Sequence, residues 1–273
     1  MRIKLIAVDL DGTLLNPRGE LDAETVSAAR ACMERGARFV LSSGRMPGAL
    51  RRFCDALRVN APAVCYNGGA LVEIGSGKVL FSTPVPLDLA RDIAKTAEDM
   101  GLYFHAFIHG GYIAPYYCEK TEAYEKLSGV KAEVVNGAIS EKMDEAPMKL
   151  LILDTPEGAA KALPVLKEKF AGRANILQNQ KHMIECVDKN TGKAGALQYL
   201  IGRLGISNEE TCAFGDGMND LDMLRWAAYP YVMETASDAV KKADSRFLRA
   251  PSNARAGVAM ALEALMNADL IGD

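Results

Sequence analysis

Leu5-Ile6-Ala7-Val8-Asp9-Leu10-Asp11-Gly12-Thr13-Leu14 joins a continuous apolar run to two carboxylates and a glycine. Four apolar residues in a row suit a strand buried on both faces of a parallel sheet. Alternate side chains of an extended chain share a face, so Asp9 and Asp11 are expected to point the same way, their Cα atoms about 6.5 Å apart. Leu10 points elsewhere, and Gly12 lets the chain turn sharply with its amides exposed. Two like charges this close at a strand end repel unless a cation lies between them or one is protonated. An Asp-Gly turn capping the next helix is the plainer alternative. It explains one aspartate and leaves the other aimed at the sheet edge without a task.

Downstream, Asp22 reads as a helix N-cap, and Val26, Ala29 and Met33 keep helical spacing until Gly36 stops the helix. Residues 38–41 form a second apolar strand that runs into Ser42-Ser43-Gly44-Arg45. Pro47 opens a helix with Leu50, Phe53, Cys54 and Leu57 on one face. Residues 63–66 read as a third strand, followed by a hairpin of 70–74 and 78–82. Strand, helix, strand, helix, strand predicts an α/β fold with a doubly wound, Rossmann-like parallel sheet.

At Thr83-Pro84-Val85-Pro86 the pattern changes. A helix at 87–100 precedes short strands around Gly110-Gly111, a helical stretch at 119–127, and strands at 132–135 and 148–153. A helix at 156–170 and strands at 174–178 and 183–187 complete an α+β unit of roughly 100 residues. From Gly192 the alternation resumes with a helix, a strand at 211–214, a helix, a strand at 229–233 and a last helix from 254. A sheet that is interrupted and resumed predicts a catalytic core of residues 1–83 and 187–273 carrying an inserted α+β cap domain, residues 84–186.

The formal net charge of −3 and the lack of any run of five like charges argue against a nucleic-acid partner. Half the residues are hydrophobic and a quarter charged, as in soluble globular proteins. Six scattered cysteines with no Cys-x-x-Cys pair read as buried, reduced thiols. The first strand starts too near Met1 for a signal peptide, and no apolar run has the length of a membrane span. A cytoplasmic protein, monomeric or a small homo-oligomer, with no membrane partner, is expected.

Three more stretches carry chemistry. Ser43-Gly44-Arg45 ends the second strand, where open α/β sheets bind ligands, and its hydroxyl, bare amide and guanidinium suit a phosphate. A strand-to-helix turn capped by serine is the alternative. Lys193 opens a helix, an unfavourable end for a cation unless an anion compensates. Gly215-Asp216-Gly217-Met218-Asn219-Asp220 follows the apolar Cys212-Ala213-Phe214, and carboxylates at a strand end match magnesium, whose octahedral ligands lie at about 2.1 Å.

Asp-Leu-Asp-Gly-Thr-Leu resembles the first motif of the haloacid dehalogenase superfamily, and the other three stretches resemble its second, third and fourth. The position of the cap between the second and third motifs is similar to the Cof-type branch of phosphatases, whose cap is a sizeable α/β domain. The resemblance implies a magnesium-dependent phosphatase acting on a small phosphorylated metabolite through an aspartyl-phosphate. It makes Asp9 the nucleophile, Asp11 the general acid and base, and Lys193 the charge-neutralising cation. Leu10, Ser43, Gly44, Lys193 and Asn219 are implied to hold the phosphoryl group, and Arg45 and Asn67 to face the substrate. Asp9, Asp11 and Asp216 are implied metal residues, with Asp220 behind them.

Dehalogenases of the superfamily lack the second aspartate and its P-type pumps carry threonine there, so Asp11 argues against both. A phosphomutase on the same core and a non-catalytic binding protein with a vestigial site are the rival readings. The chain departs from the pattern at Ala194, where relatives carry glycine, and at Glu234, within a stretch commonly Met-Gly-Asn-Ala. Asn67-Gly68 is also an ordinary hairpin turn. Lys149, Lys181, His105, His109 and His182 are weaker candidates for substrate contact, since such residues are more often surface charges or satisfied strand side chains.

Overall fold

A computed structural model describes residues 1–108 and 110–272. The first run of chain forms β1 (Leu5–Val8), α1 (Ala23–Glu34), β2 (Arg38–Leu41), α2 (Pro47–Leu57), β3 (Ala63–Cys65), β4 (Ala70–Glu73) and β5 (Lys78–Ser82). The middle run begins with α3 (Leu87–Asp99), β6 (Tyr103–Ala106), β7 (Ile113–Ala114), α4 (Glu119–Ser128) and β8 (Glu133–Val134). It continues with α5 (Ile139–Lys142), β9 (Leu150–Leu153), α6 (Pro156–Lys169), β10 (Ala174–Gln180) and β11 (Met183–Asp188). The last run forms α7 (Lys193–Leu204), β12 (Thr211–Gly215), α8 (Leu221–Trp226), β13 (Tyr229–Met233), α9 (Asp238–Lys241), β14 (Leu248–Ala250) and α10 (Gly257–Asn267).

The chain divides into two compact units, one of residues 1–44, 50–81 and 192–273, the other of residues 45–49 and 82–191. In the first, the sheet order is β14-β13-β12-β1-β2 and every pairing is parallel. Leu5, Ile6, Ala7 and Val8 are all fully buried, which is why this strand is apolar throughout rather than alternating. Leu5, Ala7 and Val40 share one apolar cluster with Ala196, Leu197 and Leu200 of α7 and Leu224 of α8. Parallel pairing puts the C-terminal ends of β1, β2 and β12 on one edge. There Val8 stands level with Phe214 and Leu41, and the Asp9 N–H donates to the Phe214 carbonyl at 2.9 Å.

The third strand expected in this sheet departs from it. β3 pairs antiparallel with β4, and β3-β4-β5 make a separate sheet. A single parallel bridge, Ser42 to Val64, is what remains of its expected neighbour relation with β2. β14 was not expected. Only Ala250 of its three residues is buried, so it carries no apolar pattern, and it takes its place by pairing with β13.

The second unit has a six-stranded sheet of order β10-β11-β9-β6-β7-β8, antiparallel except where β7 meets β8. Leu89, Ile93 and Ala97 recur on one face of α3 and pack with Leu166 and Phe170 against Phe104, Ala106, Ile152 and Ile184. On the opposite face Tyr124 of α4 lies edge-on to His105 and Phe107. No helix among the described residues is long and apolar enough to cross a membrane.

Candidate active site

The strand that delivers the first aspartate stops at Val8. Leu10–Leu14 winds into one wide helical turn, its Leu14 and Leu15 N–H groups donating to the carbonyls of Asp9 and Leu10 at 3.2 and 2.9 Å. Gly12 takes φ +83°, which a side chain rarely adopts. Asp9 is buried and Asp11 exposed, so the two acids meet different environments.

Lys193 is fully buried, and its three ammonium protons all have acceptors: Asp9 Oδ1 at 2.5 Å, Asp220 Oδ1 at 2.6 Å and the Ser42 carbonyl at 2.7 Å. One residue from each of three strand ends is thus tied to the first residue of α7. Burial favours the neutral amine, but Asp220 and Asp9 outweigh it and hold Lys193 protonated. Both oxygens of Asp220 are engaged. Its Oδ2 accepts the Asp216 and Gly217 N–H groups at 3.0 and 2.8 Å, so it shapes the loop that presents Asp216.

Asp216 is turned by Thr13, whose Oγ1 donates to Asp216 Oδ1 at 2.7 Å. Burial and the Asp220 charge push the Asp216 carboxyl up to about 6. Burial, then Asp220, pushes Asp9 well above the usual carboxylate range, with Lys193 acting the other way and Asp216 adding to the rise. Three carboxylates, Asp9, Asp216 and Asp220, offer oxygens within 4.8 Å of one another. Against them stands one ammonium, so with all three carboxylates ionised the cluster would be two positive charges short of neutral. A divalent cation has the charge and the oxygen preference to fill that deficit. Asp220 thus joins Asp9 and Asp216 in this cluster, and the Asp11 charge also acts on Asp216.

The phosphate candidates of the second motif adjoin this cluster through Asn67. Ser43 is buried and its N–H donates to the Val64 carbonyl at 2.9 Å, while its own carbonyl accepts the Asn67 N–H at 3.0 Å. Asn67 Oδ1 accepts from Asn219 Nδ2 at 3.0 Å, and a side chain at Gly44 would run into the Asn67 amide. Asn67 therefore serves the β3–β4 turn and also links the second and fourth motifs. Leu10 is buried within the wide turn. Arg45 groups with the second unit.

In that unit Lys149 is buried and pairs with Glu185 at 2.9 Å, and His105 is buried among tyrosines. Lys181 and His182 are exposed at the β10–β11 turn, and His109 lies outside the described residues. Glu234 pairs with Arg255 at 2.6 Å at the end of β13.

A family model described as haloacid dehalogenase-like hydrolase matches residues 6–262. The chain belongs to that family. Among haloacid dehalogenase-like hydrolases it is 29% identical over 260 residues to the pyridoxal phosphate phosphatase YbhA of Escherichia coli, covering 88% of this chain and 91% of that protein. It is 28% identical over 262 residues to the 5-amino-6-(5-phospho-D-ribitylamino)uracil phosphatase YbjI of the same organism, covering 94% of each. A crystal structure from Thermotoga maritima, 28% identical, superimposes with a TM-score of 0.82 over 96% of this chain and 97% of the other. The relatives named for an activity here are phosphatases, in keeping with a phosphoric monoester hydrolase, and the α/β second unit is that of the Cof-type branch.

Thr13 and the Ser42 carbonyl are parts of the site that sequence reasoning passed over, and Asp222, whose Oδ2 accepts the Ala194 N–H at 3.0 Å beside Lys193, was also passed over. Thr13 lies in the first motif and was readable only as part of a turn. Ser42 contributes backbone alone, which no side-chain pattern reveals. Asp222 follows the fourth motif by two residues and resembles any acid early in a helix.

Proposed function

We propose that this protein is a magnesium-dependent phosphatase that hydrolyses small-molecule phosphate monoesters through an aspartyl-phosphate on Asp9. The observation that supports it is the buried Asp9 carboxylate, held by a fully buried lysine in a cluster of three carboxylates. Asp9 attacks phosphorus in line. Asp11, exposed and two residues further on, donates a proton to the departing oxygen and then takes one from the water that cleaves the intermediate. Lys193 spreads the charge that builds on the phosphoryl oxygens, and Ser43, Asn219 and the amides of Leu10 and Gly44 hold them.

Asp9, Asp11 and Asp216 are the proposed magnesium residues, with Asp220 fixing the loop behind. The ion, when bound, supplies charge neutralisation and a template for the phosphoryl group. Arg45 and Asn67 are assigned to the substrate side. Relatives named for pyridoxal phosphate and for a phosphorylated ribityl compound support sugar phosphates and phosphorylated cofactors as the substrate class. Choice among these is assigned to the inserted cap, residues 84–186, so that exchanging it for a relative's cap changes substrate ranking and not the chemistry.

The test is phosphate release by purified Asp9→Asn protein with magnesium, on a panel of p-nitrophenyl phosphate, pyridoxal phosphate and hexose phosphates. An amide is a poor nucleophile, and a loss of at least about a thousandfold with the fold retained is expected. Normal phosphate release overturns the reading.

A further inference from the structure

Lys193 is the first residue of α7, and the residue before it, Gly192, has no side chain with which to cap the helix. A helix start leaves amide donors without partners and carries a partial positive charge. A buried ammonium at that point adds to both difficulties. Asp9 and Asp220 answer the ammonium, but neither touches the helix backbone.

That task falls to Asp222. Its Oδ2 accepts the Ala194 N–H at 3.0 Å, and its Oδ1 accepts the Met223 N–H at 2.8 Å, so one carboxylate bridges the starts of α7 and α8. The approach is close: a side chain at Gly192 would strike Asp222 Oδ2. From the other side Gly68 presses on the Gly192 carbonyl, where a Cβ would collide with backbone. The first turn of α7 is wedged between these two neighbours. α8 follows directly on the loop that carries Asp216 and Asp220, so Asp222 ties that loop to the helix that carries Lys193.

We propose that Asp222 is a positioning residue for phosphoryl transfer, setting the start of α7 and through it the place of the Lys193 ammonium against Asp9. The proposal rests on the phosphatase reading above. Displacing a catalytic group by about 1 Å can cost a hundredfold in rate, and losing an interaction made only in the transition state lowers kcat and kcat/KM equally. Loss of Asp222 therefore shows in kcat and leaves KM almost unchanged.

The experiment uses the full chain with saturating magnesium and p-nitrophenyl phosphate. Asp222→Ala is compared with Thr155→Ala, which removes an ordinary helix cap from the start of α6. Both variants lose melting temperature. Asp222→Ala alone is expected to lose kcat, by about tenfold or more, with KM within about threefold. Asp222→Asn keeps one acceptor for the Ala194 N–H and falls between wild type and Asp222→Ala. A kcat for Asp222→Ala within twofold of wild type, or a loss matched by Thr155→Ala, overturns the proposal. Should Asp222→Ala fail to fold, Asp222→Asn carries the test, and a kcat within twofold of wild type overturns it. Wild type and Asp9→Asn in the same assay keep the two ideas apart: no phosphate release by wild type removes the phosphatase reading, and full activity of Asp9→Asn removes the aspartyl-phosphate on Asp9, whatever Asp222 does.

Discussion

Thr13 Oγ1 donates to Asp216 Oδ1 across 2.7 Å, joining residues 203 positions apart. Asp216 needs such a partner because burial and Asp220 both oppose its ionisation, and the Thr13 hydroxyl acts against them. Thr13→Val keeps the shape and removes the donor. Stability is expected to fall by about 1 kcal/mol, read from urea unfolding. Half-maximal activation should need several times more magnesium, because nothing then turns the Asp216 carboxylate. Unchanged magnesium dependence would show that Thr13 serves the fold alone.

Gly12 and Gly19 separate backbone strain from crowding. Both have positive φ, +83° and +76°, but a side chain at 12 meets the Asp216 carboxylate whereas at 19 nothing lies within 4 Å. Each alanine variant should lose about 1 kcal/mol or more of stability, from the left-handed backbone. Only Gly12→Ala should also lose activity, by displacing Asp216. Equal activity in the two variants would rule out the crowding argument.

Asp11 is tested by the leaving group. A sugar alkoxide needs a proton in the transition state and an aryl oxide hardly does. Asp11→Asn should slow release from a sugar phosphate severely and from an aryl phosphate mildly. With the aryl ester it should give a burst of phenol and then stall as phosphorylated Asp9, counted by rapid quench. Equal slowing of both esters with no trapped phosphoenzyme would place the acid and base elsewhere.

His105 sets a pH dependence of stability. It is fully buried, its Nε2 lies 3.0 Å from the Tyr103 hydroxyl, and its Nδ1 has no hydrogen-bond partner among the described residues. Burial, and after it the charge of Lys149, lowers it from 6.5 to about 3. The unfolded chain then takes up a proton that the folded chain refuses. The stability from this residue is complete above the unfolded value of 6.5 and is lost as pH falls from there towards 3. Its slope reaches about 1.4 kcal/mol per pH unit. Urea unfolding between pH 7 and pH 4 should be less pH-dependent in His105→Phe than in wild type, and parallel curves would refute the assignment.

Much of the site was legible because its pieces are local. Leu5–Val8 is apolar throughout because both of its faces are covered, and that condition writes itself into consecutive residues. Asp9, Ser43 and Asp216 each stand just beyond the end of such an element, where periodicity stops and a turn begins, and Lys193 stands at the start of a helix. Resemblance of the four motifs to a known family then supplied roles that spacing alone does not.

What the sequence determined by itself was therefore the kind of element and the chemistry at its end. The tertiary structure decided who meets whom. β1 lies between β12 and β2, so Asp9 comes beside the Asp216 loop and the end of β2. β3 left the main sheet for β4, and β14 joined it with a single buried side chain, because pairing partners and not local pattern fix such short strands. Asp222 reads as an ordinary helix acid until Ala194, 28 residues earlier, is brought onto it. Hydrogen bonds and charges act over a few ångströms in space, and the chain records only separation along itself. The balance of three carboxylates around one buried ammonium exists only once the sheet has formed.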